Sequence, residues 1–226
     1  MKVGALTSSG KDSNFALYKV IQSGHDVVCL MTLKSKNPDS YMFQSQGVEQ
    51  VGLQAKSLNI PLIEMETKGV KEEELEDLRA ILVKAKEDFG IEAVCTGALY
   101  SNYQKERIEK ICKELSLEAI SPLWHLDQEE YMREIIKAGF KFIIVKVAAD
   151  GLNESWLGKE ITMADIDKLV KLNENVGMNI AFEGGEAETL MVDGPTFNKK
   201  IVIKEATIEM ENKYTGFYHI KEAELV

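Results

Sequence analysis

The sequence predicts an α/β fold: a doubly wound parallel sheet followed by a smaller C-terminal α+β domain. Three observations carry this. Short apolar runs alternate with segments of helical period through residue 120. The polar or glycine-bearing turns Thr7–Asp12, Thr32–Ser35 and Thr96–Asn102 each follow an apolar run, where parallel sheets present their ligand sites. After Pro122-Leu123-Trp124 the rhythm changes, and the tail alternates residue by residue.

The elements follow in order. Val3–Thr7 reads as a buried strand and Asp12–Gln22 as a helix that Gly24 stops. Asp26–Leu33 is a second buried strand. The polar loop after it has Asn37-Pro38-Asp39 at its turn. Val48, Val51, Ala55 and Leu58 mark a helix, and Pro61–Met65 is a third strand. Val70–Phe89 reads as a long helix with the run KEEELED on its outer, solvated face, since carboxylates favour a first helical turn. Ala93–Thr96 is a fourth strand, ended by Gly97. Tyr103–Leu115 is a helix with Ile108, Ile111, Cys112 and Leu115 on its apolar stripe, and Ala119-Ile120 is a short fifth strand. Beyond these, Gln128–Lys137 and Thr162–Asn175 read as helices. Phe140–Val147, Lys200–Glu211 and Phe217–Val226 read as strands. The boundary falls near Leu126, giving domains 1–125 and 126–226.

Composition narrows the function classes. Hydrophobic residues make up 45% of 226, charged ones 28%, ordinary for a globular protein. No apolar run is long enough to span a membrane, and the first apolar stretch is too short for a secretory leader, so a cytoplasmic protein is expected. The net charge of −10 argues against a broad nucleic-acid surface. Cys29, Cys95 and Cys112 have no CxxC spacing and read as small buried hydrophobes. His25, His125 and His219 have no zinc-type spacing. The sequence leaves a homo-oligomer open.

Ser8-Ser9-Gly10-Lys11-Asp12-Ser13 lies between the first strand and the first helix. A Walker loop does not fit it. The first glycine comes one place early, at Gly4, and Asp12 stands where Ser or Thr would hold magnesium. A dinucleotide fingerprint does not fit either, since Gly10 is alone. The stretch nevertheless has the parts of an anion site. Gly10 lets backbone amides approach, Ser8, Ser9 and Ser13 offer hydroxyls, the helix points its positive end there, and Lys11 adds a charge. Asp12 would be repelled by bare phosphate and makes sense as a magnesium ligand or a cap. The plainer alternative is a turn with Ser or Asp as N-cap. Extending the 108–115 stripe backwards brings Gln104 and Arg107 to a helix start that should open onto the sheet's crevice. Arg107 could pair with phosphate, or with a structural carboxylate. Gly97 permits close approach of ribose or phosphate, or is a turn glycine. Met31, near the end of the second strand, could wall an adenine or belong to the core.

SSGKDS resembles the SGGKDS loop of the PP-loop ATP pyrophosphatases, with Ser9 where that pattern has the first of its paired glycines. Two longer segments, GALYSNYQKERIEKICKELSLEAISPLW (97–124) and EGGEAETLMVDGPTF (183–197), resemble the branch of diphthine–ammonia ligases. Ala187 stands where many relatives have a bulky aromatic. The resemblance implies an adenine nucleotide alpha hydrolase-like fold that binds ATP with Mg2+. It also implies amidation of diphthine on elongation factor 2 by ammonium, through an acyl-adenylate, with AMP and pyrophosphate as products. It reverses the plain reading of 183–189 as a solvated hairpin turn and makes Glu183, Glu186 or Glu188 candidates for holding magnesium, ammonium or a cationic substrate group. The expected catalytic residues are Lys11, Asp12, Arg107, Glu186 and Glu188. The expected nucleotide contacts are Ser8, Ser9, Gly10, Lys11, Asp12, Ser13, Met31, Gly97 and Gln104, with Asp12 on the metal. A tRNA-thiolating relative is disfavoured by the missing cysteine pair and basic surface. A nucleotide sensor without chemistry is the rival from another class.

Overall fold

The computed structural model describes residues 1–35, 37, 46–70, 72 and 74–226. They form two compact units that divide between Trp124 and His125. Most of the Asn37-Pro38-Asp39 turn, and Lys71 and Glu73 of the charged run, lie outside the described residues.

The first unit runs β1 (Lys2–Leu6), α1 (Lys11–Gln22), β2 (Asp26–Ser35), α2 (Val51–Leu58), β3 (Leu62–Thr67), α3 (Glu74–Phe89), β4 (Ala93–Cys95), α4 (Asn102–Glu114) and β5 (Glu118–Ile120). The strands lie in the order β3-β2-β1-β4-β5, and every neighbouring pair is parallel. The chain winds from β1 outward to β3, then crosses back to β4 and β5. Right-handed crossovers therefore place α1 and α2 on one face, α3 and α4 on the other. The reversal makes the crevice at the carboxyl ends of β1 and β4 the switch point where such sheets take ligands.

Covering on both faces explains why β2 reads as a continuous apolar run: Cys29 through Leu33 are all buried. Leu78, Ile81, Leu82 and Ala85 of α3, at i, i+3, i+4 and i+7, pack with Ile108, Ile111 and Cys112 of α4 onto Cys29, Met31 and Leu33. Each such leucine or isoleucine contributes roughly 1.5–3 kcal/mol by burial. All three cysteines are buried, and burial pushes each thiol up to about 12, so they are packing groups without thiolate chemistry.

The charged run departs from its expected place. The helix begins at Glu74, and Glu74 is fully buried rather than on a solvated face. A first helical turn is where the macrodipole best tolerates a buried carboxylate.

The second unit contains α5 (Gln128–Lys137), β6 (Lys141–Ala148), α6 (Met163–Val176), β7 (Ala187–Asp193), β8 (Ile201–Met210) and β9 (Thr215–Leu225). Its sheet is antiparallel in the order β7-β6-β9-β8. The strand β7 has no counterpart in the sequence reading, where the glycine pair and acidic residues before it suggested only a turn. Thr189 through Val192 are buried, so the strand lacks the alternation that marks a half-exposed one. Asp127 caps α5, its carboxylate accepting the Glu130 amide at 3.0 Å.

The start of α6 holds a buried ionic knot. Asp165, 1% exposed, accepts from the Thr162 amide at 3.1 Å, the Thr162 hydroxyl at 2.7 Å, Lys168 Nζ at 2.9 Å and Lys159 Nζ. Burial pushes this carboxyl upward, but the bonds from Lys159, Thr162 and Lys168 outweigh it and hold the group well below the usual carboxylate range. No helix among the described residues is long and apolar enough to cross a membrane.

Candidate active site

The loop between β1 and α1 is organised by Ser13. Its Oγ accepts from the Ser8 amide at 3.3 Å, donates to the Gly10 carbonyl at 3.2 Å and lies 3.3 Å from Thr7 Oγ1. The Ser9 amide donates to Thr7 Oγ1 at 3.4 Å. Gly10, in extended conformation, is the N-cap of α1, so neither a serine nor an aspartate holds that position. The plain capped turn is therefore not what the sequence builds. A 12-residue helix with Asp12 in its first turn starts at the switch point and points its positive end at the loop.

Lys11 is 2% exposed, and its Nζ reaches Asp12 Oδ1 at 2.8 Å and Oδ2 at 3.0 Å. The buried Nζ thus rests on a neighbouring, partly exposed carboxylate, a charge-assisted pairing that an arriving anion could take over. Ser9 is fully buried with φ of 71°, and its hydroxyl has no hydrogen-bond partner.

Gly97 faces this same turn from the end of β4. A Cβ there would sit 2.7 Å from the Ser13 amide nitrogen and 2.8 Å from the Asp12 carbonyl carbon. The glycine is thus required by backbone packing: the loop after β4 lies directly against the first turn of α1. Gly97→Ala is expected to destabilise the protein by about 1–3 kcal/mol in chemical denaturation, because the first turn of α1 would have to shift. Unchanged stability would show that the loop moves aside freely.

Other candidates lie differently. Met31 is fully buried in the core under α3 and α4, and its carbonyl accepts the Thr7 amide at 2.9 Å. The Gln104 amide donates to Ser101 Oγ at 3.3 Å, which makes Ser101 the N-cap of α4. Arg107 does not reach the loop. Its Nη2 donates to Glu72 Oε1 at 2.6 Å, and its guanidinium lies 3.5 Å over the Tyr103 ring. This pairing, first with Glu72, raises its already high pKa. Both residues line a groove of about 310 Å³ between α3 and α4, whose lining includes none of residues 8–13. Any role for Arg107 on phosphate requires it to leave Glu72.

In the second unit Glu186 ties its own turn together. Oε1 accepts the Asn179 amide at 3.0 Å and Oε2 the Gly184 amide at 2.8 Å. Glu188, on β7, pairs with Lys146 of β6 at 3.1 Å, beside Phe217 of β9. Among the described residues no three His, Cys, Asp or Glu side chains gather as metal donors.

Sequence reasoning missed Gln54 and Asn14, which grip the loop from α2 and α1. Gln54 Nε2 donates to the Ser9 carbonyl at 3.0 Å, and Asn14 Nδ2 to the same carbonyl at 3.2 Å. The signal was present: Gln54 sits on the apolar stripe of Val51, Ala55 and Leu58, where a polar side chain needs a buried partner.

Residues 1–119 match the family model described as diphthamide synthase N-terminal domain, and residues 127–226 the one described as diphthamide synthase C-terminal domain. A mouse protein named diphthine–ammonia ligase is 37% identical over 94% of this chain and 86% of its own length. The human protein of that name is 34% identical over 92% and 85%. A similar protein of the same name from Schizosaccharomyces pombe is 37% identical over 92% of this chain, which spans 37% of the longer yeast protein. A crystal structure titled "predicted subunit of tRNA methyltransferase", from Methanocaldococcus jannaschii, aligns over 86% of this chain and 98% of its own at 14% identity, with a TM-score of 0.41. A likeness at that level carries no functional inference. Two family models placed end to end, with relatives above 30% identity along nearly the whole chain, establish that it belongs to the diphthine–ammonia ligase family.

Proposed function

We propose that this chain is an ATP-dependent amide-forming ligase that converts diphthine on elongation factor 2 to diphthamide, taking ammonium as the nitrogen source. The observation that supports this best is the buried Lys11 ammonium paired with Asp12 at the start of α1, lying at the switch point of a parallel sheet in a chain of this family.

The chemistry has two steps. A carboxylate oxygen of diphthine attacks the α-phosphorus of ATP, the bond to the bridging oxygen breaks, and pyrophosphate leaves. Ammonia, formed from ammonium by loss of a proton, then attacks the acyl carbon, and AMP departs with the carboxylate oxygen. Lys11, the hydroxyl of Ser8 and the amides of Gly10 and Lys11 offset charge on the departing pyrophosphate, while Ser13 holds the loop's shape. Asp12 suits Mg2+. One carboxylate plus phosphate oxygens is a normal protein share of an octahedral shell that keeps several waters, and the metal would neutralise phosphate charge there. Glu186 contributes by fixing its turn, and Glu188 with Lys146 and Phe217 offers a charged and aromatic surface for the acceptor. The reaction belongs in the cytoplasm, where ATP and the acceptor meet.

The test is incubation of the protein with magnesium-ATP, ammonium and diphthine-bearing elongation factor 2. AMP in step with an acceptor whose carboxylate has become an amide by mass supports the ligase. Bound but intact ATP would favour a sensor, and ADP would remove the adenylation step.

A further inference from the structure

We propose that Gln54 and Asn14 are positioning residues that hold the phosphate loop in its anion-receiving shape, and that Ser9 makes them necessary. This rests on the reading of residues 8–13 as the site of the ATP phosphates. Ser9 has φ of 71°, a region that a residue bearing a Cβ disfavours. It is also fully buried with an unpartnered hydroxyl, a second unfavourable feature. Left to its own preferences, Ser8-Ser9-Gly10 would not choose this turn; surrounding structure has to impose it.

The imposing groups are two carboxamides from different helices. The Ser9 carbonyl accepts from Gln54 Nε2 at 3.0 Å and from Asn14 Nδ2 at 3.2 Å. Asn14 Nδ2 also reaches the Gly10 carbonyl at 2.9 Å and Gln54 Oε1 at 3.4 Å. Gln54 is fully buried and Asn14 is 2% exposed, so water does not compete for these bonds. Within a trans peptide the C=O and the following N–H point in opposite directions. Fixing the carbonyls of Ser9 and Gly10 toward the two carboxamides turns the amides of Gly10 and Lys11 the other way. Gln54 and Asn14 thus aim the loop amides without touching a reacting atom. A glycine at position 9 would take the left-handed turn unaided, so the clamp matters because this chain has a serine there.

The experiment is a double-mutant cycle of Gln54→Leu and Ser9→Gly in the full chain, with inorganic pyrophosphate and ATP as calorimetric probes. Gln54→Leu is expected to weaken both ligands about tenfold and to raise KM for ATP more than it lowers kcat. Made on top of Ser9→Gly, the same change is expected to weaken them only about twofold. Ser9→Gly alone is expected to raise the melting temperature of the unliganded protein by about 2–4 °C. Equal losses in both backgrounds, or no loss from Gln54→Leu, would overturn the proposal. Lys11→Met separates the two levels. If it abolishes pyrophosphate binding while Gln54→Leu changes nothing, the clamp alone is wrong. If it too leaves binding intact, the loop is not the phosphate site and both readings fall. Should Gln54→Leu not fold, Asn14→Ala removes the other donor and is read the same way.

Discussion

Lys11→Met is expected to lower kcat/KM for AMP formation by about a thousandfold, roughly 4 kcal/mol of transition-state stabilisation. Methionine keeps most of the stem's packing, so the change isolates the charge. The size of the effect follows from burial. Lys11 is 2% exposed, and an ammonium shielded from water acts on a nearby anion far more strongly than one on a surface. The negative charge it meets grows as the bridging bond breaks, so the loss should fall mainly on kcat. Lys11→Arg should restore little, because a planar guanidinium does not fit a space packed around a linear stem. Rates of AMP release and ATP dissociation constants for both variants check this. A kcat within tenfold of the unsubstituted protein would remove Lys11 from the chemistry.

The largest stability effect is expected in the second unit, at the start of α6. Asp165→Asn should reduce the unfolding free energy at neutral pH by about 3 kcal/mol, since it strips a buried, multiply bonded carboxylate of its charge. Lys159 and Lys168 would be left facing an amide. Both lysines are partly exposed, which keeps the figure at the low end for a broken buried pair. The pH dependence has a definite sign. The folded-state pKa of Asp165 is depressed, so its contribution is complete above the unfolded value of about 4. Below that the unfolded state binds the proton more readily, and the contribution declines by about 1.4 kcal/mol per pH unit. Urea unfolding curves of the two proteins should therefore lie apart at pH 7 and converge between pH 5 and pH 2. A constant separation would show that Asp165 is not the group that titrates.

Much of the first unit was legible because its information is short-range. Apolar runs bounded by turns gave β1 to β5, and a 3.6-residue period gave the helices, within one to four residues at their ends. Both signals arise from neighbours a few positions apart. The strand β7 was hidden because its residues are apolar without alternation and follow a conspicuous acidic turn. The buried place of Glu74 was hidden because charge in a first helical turn looks alike whether solvated or covered.

Hydrophobic period and turn chemistry are local, so the chain's own order of residues was enough to place the alternating strands and helices and to put Ser8–Ser13 where a strand gives way to a helix. The partners of those residues came from packing in three dimensions. Gln54 meets the Ser9 carbonyl 45 positions away, Arg107 meets Glu72 35 positions away, and Gly97 lies against the backbone of Asp12 and Ser13. Such contacts form when separate elements pack on one sheet, and neither propensity nor spacing along a chain encodes which side chains packing will bring together.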